Sequence, residues 1–180
     1  MRINGNTYTA EVNSDSRLKT QSVSTSAINA ASLKGKAFAW NAVSADIAAA
    51  GTALAVRNDS TTEYLVIEKI YVYSDIASAV DVHLVTATYT SAGTAVTGVC
   101  LNKATATVAT ATAHANETGN TQGDIIVTLH TPELTTSAES IEYDFKGSII
   151  LGQNQAIGVD VVADSAAFEC TVIGYYINKE

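Results

Sequence analysis

From residue 37 onward the chain is a succession of short runs in which apolar and polar side chains alternate, broken at close intervals by Gly, Asn, Asp and Ser. That rhythm belongs to antiparallel strands joined by tight turns. Val80–Thr86 shows it cleanly: Val80, Val82 and Leu84 stand opposite Asp81 and His83, which predicts a half-buried strand with His83 on the solvated face. Tyr64–Ser74 is longer, with Tyr64, Val66, Ile70 and Val72 on one face and Leu65, Ile67, Lys69, Tyr71 and Tyr73 on the other. A strand so apolar on both sides is central or covered twice. Shorter strands are predicted at Ala37–Trp40, Ala53–Asn58, Val96–Leu101, Ile125–His130, Ser140–Phe145, Ser148–Leu151, Ile157–Ala163 and Phe168–Ile177. Lys146-Gly147, Gly152-Gln153-Asn154 and Asp164-Ser165 supply turns between them.

Two stretches depart from the rhythm. Between Ser44 and Gly51, Asp46 is placed to cap a single Ala-rich helical turn. Lys103–Gly123 is built from Ala, Thr, Asn and Gly and reads as a functional or mobile loop, or, through the alternation from Thr105 to Thr112, as an extra edge strand. About nine short strands without a long helix predict an all-β fold: an antiparallel β-sandwich of jelly-roll type over residues 37–180. Residues 1–36 lack periodicity and are rich in Ser, Thr and Asn. Asn4-Gly5 suits the turn of a small hairpin, and the remainder reads as an extended N-terminal arm that needs a surface to lie on.

Composition sharpens this picture. Ala, Thr and Val make up more than a third of the 180 residues, and only 16% are charged, against about 25% in ordinary soluble domains. β-branched Thr and Val suit strands and disfavour long helices. The net charge of −8 argues against nucleic-acid binding, which needs a basic surface. That charge is divided unevenly. Arg2, Arg17, Lys19, Lys34 and Lys36 face two acids in residues 1–36, a net of +3, while the rest of the chain stands at −11. A basic arm on an acidic body suggests a docking segment, and a solvated tail is the other reading of the same split. The start, Met1-Arg2-Ile3-Asn4-Gly5, turns polar at once, and Ala37–Val56 is broken by polar residues. Neither a secretory signal nor a membrane span is expected. Cys100 and Cys170 lie in apolar runs and should remain reduced in a cytoplasmic setting, and the sequons at Asn58 and Asn116 matter only on export.

Candidate chemistry is sparse. The sequence contains no nucleophile elbow and no phosphate-cradling Gly loop, and His83, His114 and His130 are scattered without metal-ligand spacing. Neither catalytic residues, a cofactor nor a metal is expected. Glu142 and Asp144 share a strand face, with Glu139 close by, but with a single Trp in the chain a solvated acidic edge is favoured over a glycosidase-like pair or a calcium site. Asp160 and Asp164 are read the same way. Tyr71 and Tyr73, and Tyr175 aligned with Ile173 and Ile177, make Tyr-bearing faces suited to subunit contact, unless they are core or covered by the arm.

The runs Glu142-Tyr143-Asp144-Phe145, Gly147 to Asp160 and Glu169 to Tyr176, with Ala55 to Ser60 leading into Tyr64-Leu65-Val66-Ile67, resemble the strands of small jelly-roll structural proteins of tailed phages. The closing strands are also similar in style to tumour-necrosis-factor-like and complement-globular-head trimers. The phage resemblance implies a capsid decoration (cement) protein, a homotrimer assembled in the host cytoplasm. It would bind the major capsid protein on the virion and bridge capsomers, with the arm laid over the shell or a neighbour. Nucleic acid and membrane are not expected partners. A tail, fibre or adaptor component is the structural alternative, and a receptor- or carbohydrate-binding module using Lys103–Gly123 and the tyrosines is the alternative of a different class.

Overall fold

The computed structural model describes residues 25–44, 51–86, 93–105, 107–117, 119–132, 140–163 and 167–179, and the backbone of four two-residue strands before them. Those strands form two small antiparallel ladders, β1 (Asn4–Gly5) with β2 (Tyr8–Thr9), and β3 (Glu11–Val12) with β4 (Leu18–Lys19). The hairpin expected at the N-terminus is present, but Asn4-Gly5 is one of its strands rather than its turn.

Residues 27–33, expected to be extended, form a helix, α1 (Ala27–Leu33). The Ser26 hydroxyl accepts from the Asn29 N–H at its start. At its end Gly35 takes φ +70°, the Lys36 N–H reaches the Ala31 carbonyl and the Gly35 N–H reaches that of Ser32. This is a Schellman cap, which satisfies carbonyls that the helix leaves without donors.

The body consists of β5 (Ala37–Ser44), β6 (Gly51–Asn58), β7 (Glu63–Ser74), β8 (Ser78–Val85), β9 (Thr94–Ala95), β10 (Val99–Cys100), β11 (Ala111–Glu117), β12 (Gln122–Thr131), β13 (Ile141–Leu151), β14 (Ala156–Val161) and β15 (Phe168–Asn178). They make two antiparallel sheets packed as a sandwich, in the orders β10-β5-β15-β7-β13 and β12-β8-β14-β6-β11-β9. The pairings are nested: β5 with β15, β6 with β14, β7 with β13 and β8 with β12. Between the sheets lie Trp40, Phe38, Leu54, Leu65, Ile67, Ile70, Ile157, Val172 and Phe168, all essentially inaccessible to water.

Several strand boundaries move. Val96–Leu101, expected to be one strand, is reduced to β10, and β9 forms just before it, with residues 96–98 between the two. The extra strand expected within Thr105–Thr112 forms further along, as β11, inside the six-stranded sheet between β6 and β9. Ser140–Phe145 and Ser148–Leu151 fuse into β13, whose register against β7 shifts between Asp144 and Ile149. The Asp46 turn lies outside the described residues.

In β7 the alternation changes phase. Leu65 and Ile67 point into the core, and so do Ile70 and Val72. The slip falls at Glu68, where β15 passes from Ile173 opposite Lys69 to Gly174 opposite Ile67. A one-residue bulge of this kind moves every later side chain to the other face. Tyr71 and Tyr73 therefore share the outer face with Val66, not the inner one with Leu65 and Ile67.

Candidate functional site

The outer face of the five-stranded sheet is where most of the sequence-predicted residues meet. Register places Tyr71 between Thr171 and Glu142, and Tyr73 opposite Glu169. Tyr71, Tyr73, Glu169 and Thr171 line a shallow depression of about 230 Å3. Both tyrosines are half-exposed. Beside them Lys69 pairs with the Glu142 carboxylate and stands 3.9 Å from Asp144. The bond from Lys69, helped by Tyr71, holds the Glu142 carboxyl below the usual range, while burial and the bond to Glu142 push the Tyr71 phenol up. Glu142 and Asp144 are thus an exposed acidic pair answered by a lysine. Glu139 and Asp164 lie outside the described residues.

Tyr175 is aligned with Ile173 and Ile177 on the same outer face, but it is buried there, covered by the helix. With Ala31, Ala37 and Val66 it forms a small apolar cluster under α1. Burial raises its phenol pKa, with the Glu68 charge adding to the effect. A groove of about 310 Å3 between α1 and the end of β15 brings Tyr175 together with Lys34 and Lys36. Lys36 is not a free cation there: its ammonium bonds to the Glu63 carboxylate and, at 2.9 Å, to Asn178 Oδ1. Lys34 is exposed at the helix end. Arg2 and Arg17 lie outside the described residues, as does the side chain of Lys19.

Around these groups the face is apolar. Val43, Val99, Leu101, Ile150 and Ile177 are exposed on it or at its margin, and Leu33 of α1 is 75% exposed. Val99 lies opposite Ala39 and Ala39 opposite Ile173, a row that continues into the charged Lys69 and Asp144, while Ile150 lies opposite Val66 and Val66 opposite Tyr175. The covering helix occupies only part of the face.

Three polar arrangements differ from sequence expectation or escaped it. His83 is wholly buried rather than solvated, and Asp160 is buried with it. His83 Nε2 lies 3.0 Å from Asp160 Oδ1, and Nδ1 lies 2.9 Å from the Leu84 carbonyl. Alternation places His83 correctly on the outer face of the six-stranded sheet, which Asp160 shares, but outer does not mean wet at this row. Asn58, in the Arg57-Asn58-Asp59-Ser60 run, serves the fold: its amide donates to the Glu63 and Leu151 carbonyls and its oxygen accepts from the Ser60 N–H. Cys100 and Cys170 are free thiols. The Thr107 hydroxyl lowers the Cys100 pKa, and burial pushes that of Cys170 far up.

Among the described residues no group of His, Cys, Asp and Glu is arranged to hold a metal ion, and no helix is long and apolar enough to cross a membrane. No family model, curated protein or solved structure matches the chain.

Proposed function

We propose that the chain is a non-enzymatic structural protein of a tailed-phage virion, a capsid decoration protein that binds the outer head surface as a homotrimer and bridges capsomers of the major capsid protein. One observation carries the reading: the outer face of the five-stranded sheet presents exposed apolar side chains, Val43, Val99, Ile150 and Ile177, together with half-exposed tyrosines, and its lysine is already paired with its own carboxylates. Exposed apolar and aromatic side chains gathered on one face are what interface cores are enriched in. The nested strand pairing supports a jelly roll, because folding a four-hairpin strip over on itself produces that order. The exposed Lys34 supplies positive charge beside the same face, and the sequence of residues 1–19 holds three further basic residues. Low overall charge then serves assembly, since each unpaired charge buried between subunits costs desolvation.

The test is co-sedimentation of the purified protein with expanded and unexpanded capsids of the same virus prepared without it. Saturable binding to expanded shells, in multiples of three per junction, is the expected result. Binding to isolated tails but not to heads would replace this reading with the tail or adaptor one.

A further inference from the structure

The six-stranded sheet contains a group that the proposed function does not use. In register across its outer face, His114 of β11 stands opposite Ala55 of β6, Ala55 opposite Gly158 of β14, and Gly158 opposite His83 of β8. The small residues leave room for the His83 ring, which lies over Gly158: a Cβ there would come within 2.4 Å of Nε2. In this position Nδ1 meets the Leu84 carbonyl, and Nε2 stands at ion-pair distance, 3.0 Å, from Asp160 Oδ1, out of line for a hydrogen bond. A neutral imidazole leaves the buried Asp160 carboxylate without this opposite charge, whereas the imidazolium pairs with it as an ion.

We propose that His83 and Asp160 form a proton-operated latch on the seam between β8 and β14, closed when the imidazole carries both protons and released when it gives one to solvent. The position of the seam gives the latch its effect. β12 pairs with β8, and β8 is joined to the rest of its sheet through β14. Releasing the latch loosens the β8–β12 ribbon at the His83 end, while Val162 N–H to Ala79 carbonyl and Ala163 N–H to Ser78 Oγ bonds hold the other end.

The surroundings set the sign. Burial opposes the charge, but the adjacent Asp160 carboxylate, the Leu84 carbonyl and the charge of Asp81 outweigh it, so the His83 pKa stands above its ordinary value. Asp81 also accepts from the Thr128 hydroxyl of β12 at 2.6 Å. β12 places Ile125 opposite His83, with Asp124 next to it on that strand, β6 places Thr52 opposite Asp160, and His114 and Glu117 are on β11 beyond β6. An unfolded histidine titrates near about 6.5. The latch therefore contributes fully below that pH, and its contribution falls as pH rises towards and through the higher folded pKa.

Nitrogen NMR of the imidazoles in the intact chain tests the charge state directly. The His83 imidazolium should persist to higher pH than that of an unfolded histidine, whose midpoint is about 6.5; a midpoint at or below that value overturns the proposal. Amide exchange tests the mechanical effect. The opening constant of β8 and β12 relative to β6 and β11 should rise by up to about tenfold per pH unit above pH 6.5, and His83→Gln should flatten that dependence. The same dependence in His83→Gln would also overturn it. If His83→Gln does not fold, Asp160→Asn replaces it: His83 should then titrate at lower pH, and an unchanged titration contradicts the latch.

Discussion

The side-chain amide of Asn58 donates to the main-chain carbonyl of Leu151, 2.9 Å away and 93 residues later in the chain. With its bonds to Glu63 and Ser60 it ties the β6–β7 corner to the end of β13, one sheet to the other. Asn58→Ala leaves two carbonyls and one N–H without these partners, each costing about 1 kcal/mol or more. We expect a loss of about 3 kcal/mol in urea unfolding with an unchanged m-value. A loss within error of zero would mean that water replaces the amide.

Tyr175 and the pair Tyr71 and Tyr73 should separate cleanly. Tyr175→Ala empties the space under α1 and should cost about 3 kcal/mol, read as a lower thermal midpoint. Tyr71→Ala with Tyr73→Ala removes half-exposed rings and should cost within about 1 kcal/mol, yet weaken self-association and capsid binding. Normal association in this double variant would remove these tyrosines from the contact.

Truncation should distinguish the arm from the helix that follows it. Removing residues 1–24 is expected to leave the thermal midpoint nearly unchanged and to reduce capsid binding. Removing residues 1–36 also takes away α1 and the Lys36 contacts to Glu63 and Asn178, and should lower the midpoint by several degrees. Lys36→Ala alone should cost no more than about 1 kcal/mol, because its pair is partly exposed.

The thiols make a chemical prediction. Reductant should not change the thermal midpoint, since both cysteines are free. Under native conditions a maleimide should modify Cys100 well before Cys170, whose thiol is fully enclosed in the core and resists ionisation. Mass spectrometry of partially labelled protein reads the order.

The alternation of residues such as Val80, Asp81 and Val82 made the sandwich legible, because each strand carries its own two-residue period. What the period does not encode was lost. The bulge at Glu68 sends Tyr71 to the face opposite the one simple counting gives, since it arises from pairing with Gly174 rather than from any local signal. The helix did have signals, Ser26 before it and Gly35 after it, but seven residues so rich in Ala offer little amphipathic pattern. His83 was placed on the correct face, and both it and Asp160 were assigned to solvent, because burial of an outer row depends on what packs over it. Gly158 was the available clue: a glycine inside a strand marks room for a neighbour.

The most direct test of the assembly reading is a cryo-electron microscopy reconstruction of capsids decorated with this protein. The account predicts trimers at capsomer junctions, with Tyr71, Tyr73, Val99 and Ile150 of the five-stranded sheet buried against a neighbouring subunit or the shell. Density at the junctions with that face open to solvent, or no density on expanded heads, would contradict it.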